Sequence, residues 1–219
     1  MALAFAGMLR KDVAGMRHKG TQTIETERLV LRRLLPEDAE QMYRNWASDP
    51  CVTRWLRWQP HQNVAETRAL LAAWAELYPN PDYYQWCLVE KSSGSVFGSI
   101  GLFDDAATDG CRPNQWKAPG LAHSEGAWMP GYCIGAAWWG KGYTTEALKA
   151  VVDYWFSGTD SSWLACCHAV ENPASGHVMR HAGFCFDHAG IDHKFDGTPV
   201  DCLFYCLTRA QWAAGAAVF

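Results

Sequence analysis

The chain has 219 residues, 49% of them hydrophobic, with 19 Lys and Arg against 23 Asp and Glu and a formal net charge of −4. That length and apolar content suit one domain with a substantial core and exclude a disordered chain, and the acidic balance without a Lys/Arg-rich run excludes nucleic acid as the main partner. No apolar run approaches the roughly 20 residues of a membrane span, and 9 cysteines, with no CxxC pair and no secretory leader, imply reduced thiols in a cytoplasmic protein without a zinc knuckle.

In chain order, residues 1–20 carry Arg10, Lys11, Arg17, His18 and Lys19 behind a short apolar start. They are expected to form a mobile extension or an extra contact in a homodimer, leaving residues 21–219 as a single domain. After Thr23 to Arg33, Pro36-Glu37-Asp38 starts a helix with Ala39, Met42, Tyr43 and Trp46 at helical spacing. Asn63 and Glu66 form a capping box for a second helix that carries Leu70, Leu71, Trp74, Leu77 and Tyr78 and stops before Pro79 and Pro81. Tyr84 to Lys91 and Val96 to Phe103 read as a hairpin around Ser92-Ser93-Gly94-Ser95. Asp104 to Ala127 is polar, contains glycine and lacks periodicity, and connections of that length are usually functional or disordered.

Trp128 to Ile134 reads as a strand in which Pro130-Gly131 suggests a bulge or splay. A helix from Tyr143 to Phe156, a strand from Trp163 to Ala169, a helix from Asn172 to Ala182 and a final hairpin complete the chain. Strands early and alternating helices later predict an α+β fold with a mixed, mostly antiparallel sheet flanked by helices. Twelve tryptophans suit either a bulky core or aromatic-lined pockets.

The chemistry is concentrated in Ile134-Gly135-Ala136-Ala137-Trp138-Trp139-Gly140-Lys141-Gly142-Tyr143-Thr144-Thr145-Glu146-Ala147. Glycines let a diphosphate approach the main chain, and the free N–H groups of a helix start form an anion site. Gly135, Gly140 and Lys141 fit the first positions of a nucleotide-triphosphatase P-loop, but Gly142 stands where that loop needs a Ser or Thr hydroxyl for magnesium. The run from Trp139 to Ala147 instead resembles the pyrophosphate loop of the GNAT N-acetyltransferases, especially their RimJ/RimL-like branch. The superfamily pattern Q/R-x-x-G-x-G/A falls on Trp139, Gly142 and Thr144, of which only the glycine matches strictly. A second block, Asn172-Pro173-Ala174-Ser175 through Val178-Met179 to Gly183-Phe184, resembles the family's Asn-x-x-Ser helix. By itself it is also a capped helix with a glycine stop. Thr23 to Arg33 looks like the family's opening strand and Asp196 to Leu207 like its closing hairpin, so the resemblance runs from about Thr21 to Trp212.

The resemblance implies acetyl-CoA as cofactor and a splayed central strand pair. The diphosphate would lie at Trp139, Gly140, Lys141, Gly142, Tyr143 and Thr144, the pantetheine amides against the backbone of Tyr132, Cys133 and Ile134, and Asn172 and Ser175 beside the pantetheine arm and thioester sulfur. Lys141 could equally point to solvent. The implied reaction is direct acetyl transfer to a primary amine, which needs a neutral nitrogen, oxyanion stabilisation and a proton for the thiolate. Many relatives carry a helix tyrosine for the last role where this chain has Ser175, and a strand glutamate where it has Met129. Glu125 is the favoured base, with His123, Asp104, Asp105 and His168 as other candidates, or a solvated loop carboxylate as the plain reading.

The acceptor is expected to be a protein or peptide N-terminal α-amine or a small cationic metabolite or antibiotic, lying under the 104–127 stretch with Trp116 and Trp128 as an aromatic wall or simply as packing. A non-catalytic acyl-CoA sensor is the alternative. Neighbours in a strand face opposite ways, so Cys166-Cys167-His168 offers no ready Cys–His pair. His177 and His181 share a helix face but lack a third ligand, and no metal site is expected.

Overall fold

In a computed structural model the described residues are 16–104, 116–117 and 127–216. The chain opens with strands β1 (Ile24–Glu25) and β2 (Leu29–Arg32), followed by a 3₁₀ turn at Pro36–Asp38, helix α1 (Ala39–Met42) and a π turn at Tyr43–Ala47. Helices α2 (Pro50–Thr53) and α3 (Val64–Ala75) precede strands β3 (Tyr84–Glu90), β4 (Val96–Asp104) and β5 (Trp128–Ile134). Helix α4 (Tyr143–Gly158), strand β6 (Trp163–Ala169), helix α5 (Pro173–His181), strands β7 (Cys185–His193) and β8 (Pro199–Thr208) and helix α6 (Arg209–Ala216) complete it.

The strands form two antiparallel sheets flanked by helices, in the orders β1-β2-β3-β4-β5 and β6-β8-β7. β5 and β6 contact one another, yet no hydrogen-bonded ladder joins them among the described residues. One edge of β5 is therefore paired with β4 through its whole length, from Asp104↔Trp128 to Gly98↔Ile134, while the other borders the seam between the sheets. The splay lies at that seam. The expected bulge at Pro130-Gly131 does not form, because the β4–β5 register is continuous through both residues. Pro130 is tolerated because β5 is an edge strand, and Gly131 is needed because a Cβ there would lie 2.7 Å from the Phe103 ring.

Helix α4 carries Ala147, Val151 and Trp155 at four-residue spacing, all fully buried against the five-stranded sheet's Trp86, Leu88 and Ile100. The core accounts for most of the tryptophan content: Trp46, Trp86, Trp155 and Trp163 are among the largest fully buried side chains. Trp116 and Trp128 are also packing residues. Trp116 meets Trp163, His188 and Phe204 edge-on, and Trp128 lies 5.0 Å from Trp155. The predicted boundary at residue 20 is not a packing boundary. Met16 packs on the main core, and the His18 ring sits 5.2 Å from Trp128 with its Nδ1 3.1 Å from the Tyr84 hydroxyl.

At the start of α3, Asn63 accepts from the Glu66 N–H as foreseen, but the Glu66 carboxylate reaches back to the N–H of Gln62 rather than Asn63. Helices α2 and α6 had no clear sequence signal, whereas the expected final hairpin forms as β7 and β8. α2 is one turn long, capped by Asp49, which accepts from the Cys51 N–H.

Candidate active site

The glycine loop leaves β5 at Ile134, passes a 3₁₀ turn at Ala136–Trp138 and enters the sixteen-residue helix α4. Gly140 and Gly142 adopt φ of +73° and +78°, the left-handed region that only glycine enters cheaply. Among the described residues, and apart from its chain neighbours, no atom lies within 4 Å of where a Gly140 Cβ would be, and the nearest to a Gly142 Cβ is an Arg28 nitrogen at 3.5 Å. Gly142 is also the N-cap of α4 and supplies no side-chain cap. A long helix thus starts beside open space with its first-turn N–H groups uncapped by a side chain, a geometry that suits a diphosphate.

The loop is braced from the residue just before β2. Arg28 donates Nη1 to the Lys141 carbonyl at 2.9 Å and Nε to Glu146 at 2.6 Å, and its guanidinium lies 4.5 Å from the Tyr143 ring centre. Glu146 also accepts from the Thr26 hydroxyl and the Arg28 N–H. Burial alone would raise the Glu146 pKa, but these hydrogen bonds and the Arg28 charge hold it below the ordinary value. A first-turn carboxylate that would have repelled a diphosphate is thereby neutralised by Arg28.

Tyr132, Cys133, Ile134, Trp139, Gly140, Gly142, Tyr143, Thr144, Asn172 and Ser175 all line one cleft, together with Met129, Cys167 and Asp192. Lys141 does not line it; its contribution is the carbonyl held by Arg28. That arrangement, and the 3₁₀ turn between β5 and the glycines, also differ from a P-loop, whose lysine must reach the phosphates. The open edge of β5 at Tyr132 to Ile134 faces the seam, where an extended chain with amide groups could pair with it.

Asn172 caps α5 by accepting from the Ser175 N–H at 3.4 Å. The Ser175 hydroxyl is 2.9 Å from that of Tyr132, which also donates to the Ser175 carbonyl at 3.2 Å. This rung crosses the seam from β5 to α5. Burial holds the Tyr132 phenol well above its ordinary pKa, only partly offset by the Ser175 bond. The sequence reading used only the Tyr132 backbone; nothing in the neighbouring residues marked its side chain as one that meets α5.

Glu125, His123 and Asp105 lie outside the described residues. Met129 is buried, with Trp116, Trp163 and Phe204 in the same cluster. Asp104 accepts from the Ala127 N–H. His168 is buried against Tyr205, with rings 5.5 Å apart and Nδ1 2.8 Å from the Ala169 carbonyl, and it borders the same cleft. The rings of His177 and His181 lie 3.9 Å apart, tilted by 33°, and neither belongs to a group of three metal-ligating side chains among the described residues.

A splayed seam, an open strand edge and an uncapped helix start behind two left-handed glycines define a class of proteins that hold a diphosphate and its extended arm across an α+β sheet. Within that class the chain belongs to the acetyltransferase (GNAT) domain family, whose model matches residues 28–185. It is 25% identical over 193 residues to the uncharacterized N-acetyltransferase p20 of Bacillus licheniformis, covering 88% of this chain and 99% of that one. To the [ribosomal protein uS5]-alanine N-acetyltransferase of Escherichia coli it is 26% identical over 208 residues, covering 88% and 93%. Among solved structures, RimL, a ribosomal L7/L12 alpha-N-protein acetyltransferase in complex with coenzyme A, superposes with a TM-score of 0.67 at 16% identity, covering 85% of this chain and 98% of that one. No helix among the described residues is long and apolar enough to cross a membrane.

Proposed function

We propose that this acetyltransferase passes the acetyl group of acetyl-CoA directly to a primary amine, with an N-terminal α-amine of a protein or peptide as the first acceptor class. The observation that carries the donor half is the left-handed Gly140–Gly142 loop opening the uncapped α4 beside the free edge of β5. Gly140, Gly142, Tyr143 and Thr144 hold the diphosphate through backbone N–H groups, and Tyr132, Cys133 and Ile134 offer main-chain partners to the pantetheine amides. Asn172 fixes the α5 start. Tyr132, accepting from the Ser175 hydroxyl, turns its own O–H from the Ser175 carbonyl to the sulfur as it becomes a thiolate; its raised pKa keeps that proton on the phenol, and the proton lost by the attacking amine reaches the thiolate through solvent.

The acceptor half rests on proton arithmetic. Met129 supplies no carboxylate from β5, so the amine should bring an appreciable neutral fraction by itself. At pH 7.4 an α-amine of pKa about 8 is roughly one-fifth neutral, against about one-thousandth for a lysine of pKa about 10.4. RimL, an alpha-N-protein acetyltransferase of the same fold, agrees with that choice.

The experiment is acetyl transfer from labelled acetyl-CoA to peptides with free or blocked N-termini, polyamines and aminoglycosides. Acetylation of free N-termini, with kcat/KM climbing toward about pH 8 and levelling there, supports the reading. Transfer to lysine side chains or small polyamines alone would refute the acceptor class, and tight acetyl-CoA binding without turnover on any amine would indicate a sensor.

A further inference from the structure

We propose that Cys167, Asp192 and Cys202 form a site for a thiophilic divalent cation of the zinc type, with three protein ligands and one coordination position open to the cleft. The three come from neighbouring strands. Cys167 on β6 is paired with Phe204, and Gly190 on β7 with Cys202, so Cys167 and Asp192 are the diagonal neighbours of Cys202 on one face of the sheet. Their ligand atoms all lie within 4.8 Å of one another, and Cys167 Sγ is 3.7 Å from Asp192 Oδ2. Metal bonds of about 2.3 Å to sulfur and 2.0–2.2 Å to oxygen place tetrahedral ligands roughly 3.5–3.8 Å apart. The cluster therefore closes by small side-chain rotations.

Two thiolates and one carboxylate select a borderline-soft ion over magnesium or calcium, which take oxygen ligands. The charges agree. The ligands carry three negative charges when the thiols ionise, Arg57 supplies one positive charge through Nη2 2.7 Å from Asp192 Oδ2, and a dication completes neutrality. Arg57 and the His193 N–H, 2.8 Å from Oδ1, fix the carboxylate orientation, as outer partners of metal-bound carboxylates commonly do. All three ligands line the cleft, which gives the ion an entry path and leaves its fourth position for water or a bound molecule.

The test is titration of the full, phosphine-reduced chain with cobalt(II), read by the cobalt–thiolate charge-transfer absorption, and with zinc, read by calorimetry. The expected result is one ion per chain, release of about two protons on binding, loss of the thiolate band in Cys167→Ser and Cys202→Ser, and an affinity lower by roughly tenfold or more in Asp192→Asn. The serine variants change one atom each, and circular dichroism with acetyl-CoA binding verifies that they fold. Absence of a thiolate band in the folded, reduced chain, or its survival in the Cys167→Ser/Cys202→Ser double variant, overturns the proposal. Neither readout requires acetyl transfer, so the outcome stands apart from the proposed function.

Discussion

Replacing Tyr132 with Phe isolates one hydroxyl at the seam. The ring stays packed, and the variant loses the 2.9 Å contact with Ser175 Oγ and the 3.2 Å bond to its carbonyl. Two neutral hydrogen bonds contribute about 0.5–1.5 kcal/mol each, but the half-buried Ser175 can regain water, so a loss of about 1–2 kcal/mol is expected. For a chain of this size that lowers Tm by about 2–8 °C. The effect on catalysis should be larger. A hydrogen bond to a developing thiolate is worth about 1.5–3 kcal/mol, which corresponds to a fall in kcat of roughly 10- to 150-fold. Acetyl-CoA affinity, measured by calorimetry, should barely change, because the contact strengthens only as the sulfur acquires charge. Ser175→Ala should lower kcat in the same range, and the double variant should lose little more than either alone, since the two hydroxyls act as one unit. A folded Tyr132→Phe enzyme with kcat within about threefold of the parent would remove Tyr132 from the mechanism, and a loss confined to acetyl-CoA affinity would make it a binding residue only.

Glu146→Gln should release Arg28 from the loop, weakening acetyl-CoA several-fold while this partly exposed pair costs only about 0.2–1 kcal/mol of stability; unchanged affinity by calorimetry would show that the brace does not shape the site. Because the Glu146 pKa is depressed, its contribution is complete above the unfolded value of about 4.3 and is lost as pH falls through the folded value. Gly142→Val should abolish acetyl-CoA binding and, at φ +78°, add backbone strain of about 1–2 kcal/mol. Gly94→Val, at φ +70° in a turn open to solvent, carries similar strain and should melt lower yet bind normally; equal acetyl-CoA affinity in both variants would sink the loop assignment. Burial lowers the pKa of His18 below its ordinary 6.5, against the charges of Asp82 and Asp160. The unfolded chain therefore binds more protons below that value, and stability present above about pH 6.5 should fall as pH drops toward the folded pKa. His18→Phe should flatten the part of a Tm-versus-pH curve between pH 7.5 and 5.5 that His18 supplies; an identical slope would place the titration elsewhere.

The elements that carry the loop were legible because their signals are local. Trp128–Ile134 and Trp163–Ala169 keep the boundaries that their apolar runs predict, and α4 follows its four-residue apolar repeat through two turns beyond the glycines. The left-handed backbone at Gly140 and Gly142 was readable for the same reason, since that conformation is a property of the glycine itself. What had no local signal was one-turn α2, whose length is below any periodicity, and α6, whose alanine-rich sequence has no apolar face to recognise.

The working contacts of the site are a different kind of information, because sheet register creates them across long stretches of chain. Arg28 reaches Glu146 over 118 residues and Tyr132 reaches Ser175 over 43; neither partner is marked by its neighbours in sequence. Cys167 and Cys202 show the point most clearly. Each reads as an ordinary small strand residue, and the sequence offered no metal site, yet a pairing of Cys167 with Phe204 rather than with Leu203 decides whether the two thiols share a face. A slip of one residue would send Cys167 to the opposite side and dissolve both that cluster and the Asp192 contact. Chemistry that depends on residue type survives such a slip on paper, whereas chemistry that depends on which side chains meet is fixed only once the ladders are.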